Sequence, residues 1–515
     1  MKRNKKDSII KGAIILTIAG LITKVIGFLY RIYMSNLIGS EGMGIFQLIF
    51  PVFMICYTIC CSGLFTAISK LVAAQRASNN TKNMSRIINT ATFITLVLSL
   101  ILSIIIYVFS EFISYNLLKE PRTLLSLKIL AFTVPFTAIG SSVKAYFYGL
   151  KKTFIPASSQ LIEQIIRVAA VYLLASTFIP KGLEFACAMA VIGMALGEII
   201  TCFYVIISYR VSIGKNTEER CSNYNSYRKI ANNIATIAIP LTANRVLITI
   251  LSSVETILIP SRLQLFGMTH SNALSLYGML TAMAIPLVMF PSVFTNSLSL
   301  LLLPAVSEAS AAKNKNTIKH TTSKTLQYSL LIGIISTCIF IVFGKPMGTR
   351  IYNEPFVGNL LVILAWLCPF IYLNTTLASI LNGLDYELIT FRNNTIGLGI
   401  RIVFTIFVIP IAGLKGYLWG LLVSSLIITL LNLIKIVKVT TVKFDISKWL
   451  LKPIFAAVIS SILISYIYYN YIQYLTGSLL ILFANCIILA LIYIIILIYF
   501  KCIPRKDLGN VKRSI

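Results

Sequence analysis

The sequence predicts an all-α integral membrane protein of about fourteen transmembrane helices: two six-helix lobes related by a parallel repeat, plus two extra C-terminal helices. Three observations predict it. The 515 residues are 57% hydrophobic, with a mean hydropathy of +0.87 and only 12% charged residues, where a soluble domain carries about 25%. Apolar runs of 20 or more residues fill almost the whole length. The chain also echoes itself at a spacing of 234 residues: 14 of the 48 positions in 120–167 are identical to those in 354–401, with no gap.

The apolar runs lie at about 10–36, 45–73, 87–110, 124–148, 155–179, 185–208, 231–259, 274–306, 325–344, 357–383, 388–410, 413–434, 449–471 and 477–500. Each can cross a hydrocarbon core about 30 Å thick at 1.5 Å per residue. In lipid the backbone must satisfy its own hydrogen bonds, so these runs are helices. The first follows a basic tail, as a signal peptide would, but it is too long and no small-residue cleavage site follows; it reads as a permanent span. The eighth is overlong and holds Pro286, Pro291 and Pro304, so a kinked or broken helix is expected there.

Charge placement supports the count. With a cytoplasmic N-terminus, alternate loops should be rich in Lys and Arg. The N-terminal tail and the segments near 70–86, 144–152, 210–229, 313–324, 392, 435–452 and 501–513 hold 32 of the 45 basic residues. The opposite loops hold 8, namely Lys119, Arg122, Lys128, Lys181, Arg262, Lys345, Arg350 and Lys415; the other 5 lie inside spans. This predicts a multi-pass protein of the cytoplasmic membrane with both termini cytoplasmic. The formal charge of +29 is then topology facing anionic lipid, and no nucleic acid is expected as a partner.

The repeat sets the organisation. Glu120-Pro121 recurs as Glu354-Pro355, Pro135-Phe136 as Pro369-Phe370, Gly149-Leu150 as Gly383-Leu384 and Arg167 as Arg401. A weaker echo pairs Ala67-Ile68-Ser69-Lys70 with Ala305-Val306-Ser307-Glu308. The expected divisions are an N-lobe over 1–209 (spans 1–6), a cytoplasmic linker over 210–230, a C-lobe over 231–437 (spans 7–12), and spans 13 and 14 with a cytoplasmic tail over 438–515. Parallel repeats of this kind are a transporter plan, with substrate held between them at mid-depth.

Enzyme chemistry finds no support. The ten cysteines show no zinc or redox spacing, and the two histidines, His270 and His320, both fall in expected loops. There is no nucleophile–base pair, no metal cluster and no phosphate-binding glycine loop. No cofactor is expected; coupling to Na⁺, H⁺ or membrane potential is left open.

Ionisable residues inside a membrane cost at least about 2.5–3.5 kcal/mol and mark pathways or partners. The bases are Lys24 and Arg31 in span 1, Arg167 in span 5, Arg245 in span 7 and Arg401 in span 11; the acids are Glu163 in span 5, Glu198 in span 6 and Glu255 in span 7. Lys24 and Arg31 are two helical turns apart and share a face, with Asn36 near the end of the same span. Lys24, Arg31, Arg245, Arg401 and Asn36 are the expected cleft residues for substrate. Glu163 and Arg167 stand at i and i+4, the favourable order for an ion pair, and with Glu198 and Glu255 they form the expected coupling or ion-pair set. Five bases against three acids favour an anionic substrate, the reverse of what a cationic-drug exporter needs.

Span 1 and the loop after it carry a resemblance. The runs are Thr23-Lys24-Val25-Ile26-Gly27-Phe28, then Asn36-Leu37-Ile38-Gly39-Ser40-Glu41-Gly42-Met43-Gly44-Ile45-Phe46-Gln47-Leu48, then Pro51 and Ala67-Ile68-Ser69-Lys70-Leu71-Val72-Ala73. Together with the span count and the repeat, the chain resembles the MOP flippase superfamily, which contains multidrug and toxin exporters, polysaccharide flippases and lipid II flippases. Within it the chain looks like the polysaccharide-biosynthesis and stage V sporulation protein B branch. The resemblance implies a flippase for an undecaprenyl-pyrophosphate-linked saccharide, working by alternating access in cell-wall or spore-cortex synthesis. It implies membrane lipid and the lipid-linked saccharide as partners, with cell-wall synthesis proteins beside them, and a monomer. A cation-coupled multidrug exporter is the alternative. Lys24 matches the first basic residue of the lipid II flippase pattern in span 1; the later arginine of that pattern falls on Tyr30, one position before Arg31.

Overall fold

The computed structural model describes residues 2–77, 80–214, 226–442, 444–472 and 479–502. Part of the expected linker (215–225) and the C-terminal tail from 503 onward lie outside the described residues. Within them every regular element is helical. We label the main helices α1 (Lys2–Tyr57), α2 (Gly63–Ala77), α3 (Thr81–Val108), α4 (Leu124–Gly149), α5 (Phe154–Phe178), α6 (Leu183–Gly214), α7 (Tyr227–Leu265), α8 (His270–Gly278), α9 (Ser292–Ala311), α10 (Lys315–Tyr352), α11 (Pro355–Leu364), α12 (Cys368–Gly383), α13 (Glu387–Val403), α14 (Leu414–Thr440), α15 (Lys452–Ile467) and α16 (Leu479–Tyr499).

Among the described residues, thirteen helical segments are long and apolar enough to cross a membrane. The first, Ile18–Arg76, runs for 59 residues, about twice what a bilayer needs. Gly39 interrupts it with φ 69° and ψ −179°, a left-handed backbone that glycine adopts without steric penalty. This one segment therefore holds the first two expected spans, and the count of fourteen stands. The overlong eighth run is broken as its prolines predict. α8 passes into a π turn at Met279–Ala284 and a short helix at Ile285–Met289, and α9 starts afresh after Pro291.

The chain divides into two compact units. The first comprises Met1–Gln264 and Met268–Gly278, the second Leu265–Gly267 and Met279–Ile515. α7 and α8, which the repeat places at the start of the second half, thus pack with the first unit. Backbone proximity shows how. A Cβ on Gly44 would run into the Leu274 carbonyl, and one on Gly278 into the Ser40 carbonyl and the Gly44 backbone nitrogen. Glycine lies on glycine, the small-residue contact by which membrane helices approach closely. The core of this unit joins α2, α3, α4, α6 and α7 through Ile68, Ala91, Phe147, Val205 and Ile234. The core of the second unit joins α9, α10, α12 and α14 through Leu302, Leu326, Leu377 and Ile436, with Trp449 packed beside them.

Each half repeats the other in local detail. Asn80 caps α3 by accepting from the Asn83 backbone at 3.0 Å, and Asn314 caps α10 from Thr317 at 3.1 Å. Ser103 donates to the Ala131 carbonyl, and Thr337 to the Ala365 carbonyl. The left-handed residues Lys119 and Lys151 recur as Asn353 and Asp385. All these pairs keep the 234 spacing. The weaker echo is matched too: Ser69 presents its carbonyl to Gly149, and Ser307 donates to the Gly383 carbonyl at 3.0 Å.

Candidate functional site

Three helices of the first unit build a charged cluster. Glu163 and Arg167 lie one turn apart on α5, and Nη2 of Arg167 reaches Oε1 of Glu163 at 2.6 Å. α6 can approach because Gly197 offers no side chain: a Cβ there would stand 3.0 Å from the Glu163 carbonyl and 3.3 Å from its Cγ. The next residue, Glu198, then falls within electrostatic reach of Glu163, Arg167 and Lys144, with Thr137 of α4 as a hydrogen-bond partner. By sequence Lys144 belongs to the basic segment 144–152 at a helix end; the fold brings it within electrostatic reach of Glu198. Added to the five bases assigned to span interiors, Lys144 makes six against the three acids.

α1 packs on α5 to extend this site. Gly27 faces Gln164, whose Oε1 lies 3.9 Å from the position of a Cβ. Tyr30 is buried within electrostatic reach of both Arg31 and Arg167. Four buried polar atoms of these two helices, Thr23 Oγ1, Tyr30 Oη, Gln164 Oε1 and Arg167 Nε, have no hydrogen-bond partner among the described residues. They mix donors with acceptors.

The other expected residues are placed differently. Lys24 is exposed, with no carboxylate at ion-pair distance among the described residues, and Asn36 is exposed three positions before Gly39. Arg245 is exposed on α7 and donates from Nη1 to the Ser62 carbonyl at 2.7 Å. That carbonyl ends the π turn Thr58–Ser62. Glu255 is buried at 4% exposure. The sequence puts Arg245 and Glu255 roughly on one side of the helix; the 80° between them is enough to leave one exposed and bury the other. Arg401 lies half-buried in the second unit, on α13.

The second unit replaces the carboxylate cluster by neutral groups. Gly182 and Gly413, both with positive φ, start α6 and α14 in the same way, so α6 aligns with α14 at a spacing of 231. In the first half Gly197 makes room for Glu163. In the second, Gly397 makes room for Ile428, whose Cδ1 a Cβ would strike. Near it Asn393 donates to Asn432 at 2.8 Å, and Asn432 to Asn374 at 2.7 Å. Asn393 and Asn432 are fully buried.

A second polar constellation, unforeseen from sequence, joins three chain turns of the first unit. Glu120, with a side chain 1% exposed, accepts from Arg122 Nε at 2.7 Å and Nη2 at 2.9 Å, and lies 2.8 Å from His270 Nε2. Arg122 Nη1 also reaches Glu41 at 2.9 Å, and Ser271 donates to Glu41 at 2.7 Å. Gln264 Nε2 is 2.9 Å from His270 Nδ1, which suits an imidazole carrying its proton on Nε2. Burial alone would raise the Glu120 carboxyl, but the hydrogen bonds from Arg122 and His270 outweigh it and hold it below the ordinary carboxylate value. The signal was present in the repeat: Glu120-Pro121 is copied, but Arg122 becomes Phe356.

An apolar groove of about 530 Å³ lies in the second unit between α9, α10 and the C-terminal α16, lined by Leu298, Leu331, Ile335, Tyr493 and Leu497 among others.

Comparison with known proteins agrees with this architecture. The chain is 27% identical over 512 residues to stage V sporulation protein B of Bacillus subtilis (strain 168), covering 98% of each chain. It is 22% identical over 436 residues to the lipid II flippase MurJ of the same organism, covering 80% of this chain and 79% of that one. Among solved structures it matches a lipid II flippase MurJ in an inward closed conformation, with a TM-score of 0.67 at 19% identity over 96% of this chain and 99% of that one. It also matches an inward-facing multidrug resistance MATE family transporter of the MOP superfamily, with a TM-score of 0.63 at 14% identity over 84% of this chain and 100% of that one. The MatE family model matches residues 264–407. The model described as polysaccharide biosynthesis protein matches residues 9–310, more than half of the chain, and the chain belongs to that family as a multi-pass membrane protein.

Proposed function

We propose that this protein is a flippase that carries a polyprenyl-pyrophosphate-linked saccharide across the cytoplasmic membrane by alternating access, in cell-wall or spore-cortex synthesis. The observation that carries the reading is the excess of base over acid inside the spans: Lys24, Arg31, Lys144, Arg167, Arg245 and Arg401 against Glu163, Glu198 and Glu255. A pyrophosphate suits such a surplus of cations; a cationic drug would be repelled. The unpartnered hydroxyl, amide and guanidinium atoms along α1 and α5 supply the mixed donors and acceptors that a sugar's hydroxyls require. The groove against α16 gives a lipid tail an apolar surface, so that the two appended helices serve the lipid rather than the sugar. Both termini are cytoplasmic in this reading, as the 32-to-8 charge split favours.

No bond is made or broken in flipping, so the requirement is only that two conformations differ in affinity for the substrate at each face. Membrane potential acting on these charges, at about 2.3 kcal/mol per charge per 100 mV, or a bound Na⁺ or H⁺, would supply direction. Lys24→Ala and Arg31→Ala should each abolish precursor flipping or complementation while the protein still inserts and accumulates. Full activity in both variants would overturn the assignment of these residues.

The carboxylates favour one second reading, cation-coupled drug export, in which Glu163, Glu198 and Glu255 act as coupling groups. Ethidium efflux that depends on Glu198 and Glu255, and is lost in Glu198→Gln and Glu255→Gln, would support it over the first.

A further inference from the structure

We propose that the membrane face formed by α11, the turn that joins it to α12, and α14 holds one anionic phospholipid, with its phosphate on Lys415 and one acyl chain in the groove below. The groove has a volume of about 590 Å³ and lies within the second unit. Ile363, Trp366, Phe370, Trp419 and Leu422 line it, and Lys415 is the one charged residue among its lining. Trp366 and Trp419 are 60% and 61% exposed, as apolar side chains that face lipid are, and Trp419 lies one turn from Lys415 at the mouth of the groove.

Length and charge identify the occupant. Lys415 is in the first turn of α14, and Leu426, the deepest lining residue on that helix, is 11 residues further on. At 1.5 Å per residue the groove descends about 16 Å, half of a 30 Å hydrocarbon core. That is the depth of one leaflet and of one acyl chain. At its mouth, a cation in the first turn of a 27-residue helix opposes the macrodipole. The first turn holds no acidic residue, and no carboxylate is within ion-pair distance of Lys415 among the described residues. Lysine and helix terminus therefore both call for the same external partner, an anion. The groove fixes that anion as one attached to a hydrocarbon chain. This site does not depend on the flippase reading, since its residues are outside the charged cluster.

Native mass spectrometry of the full chain in detergent, titrated with dioleoyl phosphatidylglycerol, tests the proposal. One phosphatidylglycerol should be retained more tightly than the rest, and dioleoylglycerol, with the same chains and no phosphate, should bind at least fivefold more weakly. Lys415→Gln should weaken retention about fivefold, the effect of one lysine near an anionic lipid. Leu422→Trp, which fills the groove, should remove the tight adduct, and Lys70→Gln should change nothing. Equal retention of the two lipids, or a Lys415→Gln protein that holds phosphatidylglycerol as the parent does, would overturn it. Lys415 is on the surface, so this variant decides the matter even if Leu422→Trp fails to fold.

Discussion

Glu120→Gln is the most informative single change to the polar constellation at the chain turns. The carboxylate is 1% exposed and takes two hydrogen bonds from the Arg122 fork and one contact from His270. The amide keeps the shape but removes the charge, and in either orientation it turns an acceptor of Arg122 into a donor that faces the guanidinium, with His270 beside it in one of them. Breaking a buried ion pair costs about 3–5 kcal/mol. Arg122 is 30% exposed, so water can reach it, and the low end of that range applies. About 3 kcal/mol corresponds to about a 150-fold change in an equilibrium constant. Thermal unfolding in detergent micelles at pH 7.5 should show a midpoint several degrees below that of the parent. The pH dependence has a definite sign. A carboxyl held below its ordinary value of 4.5 stabilises the fold fully above that value, and the contribution is lost as pH falls through the depressed one. The gap between parent and variant should therefore narrow in acid. Coincident unfolding curves at pH 7.5, or a gap that widens as pH falls, would refute the reasoning.

Three further outcomes are expected. Gly44→Val should weaken the packing of α8 on α1, because the Leu274 carbonyl occupies the space of its Cβ; cross-linking yield between cysteines placed at Glu41 and Ser271, whose side chains meet at 2.7 Å, should fall relative to the same cysteine pair with Gly44 intact. Asn432→Leu leaves Asn393 and Asn374 without the partner each uses, and unfolding should become easier by about 1–3 kcal/mol for each stranded group. Glu163→Gln removes the partner of Arg167 and leaves Glu198 to answer both Arg167 and Lys144; transport activity should fall more than stability, measured side by side on the same preparation.

Much of the scaffold was legible because apolar length, proline placement and a repeat all act locally. The broken eighth span followed from Pro286 and Pro291, and the two halves share caps and left-handed residues where the sequence echoes itself. The ion pair of Glu163 and Arg167 could be read from their one-turn spacing. The rest depended on which helices meet. Lys144 reads as a loop-end base because its own span ends a few residues later, and only the approach of α6 brings Glu198 to it. His270 reads as a solvent residue because Glu120 is 150 positions away in the chain. Asn374, Asn393 and Asn432 lie on three helices, and no local pattern connects them. Glu120 is copied as Glu354, but the residues that meet it and the members of the other groups sit where the repeat is broken: copied residues maintain a common framework, while unshared ones answer to neighbours that one half alone possesses.

The meeting of Gly44 with Gly278 has a bearing on reversibility. Side chains that interlock across a helix crossing lose rotamer freedom when they close and regain it when they part. Two glycines have no rotamers to fix. A crossing built from backbone alone therefore separates and re-forms without an entropic term from side chains at that point, and its alignment is restored by the shape of the main chain and not by the chance recovery of one conformation among many.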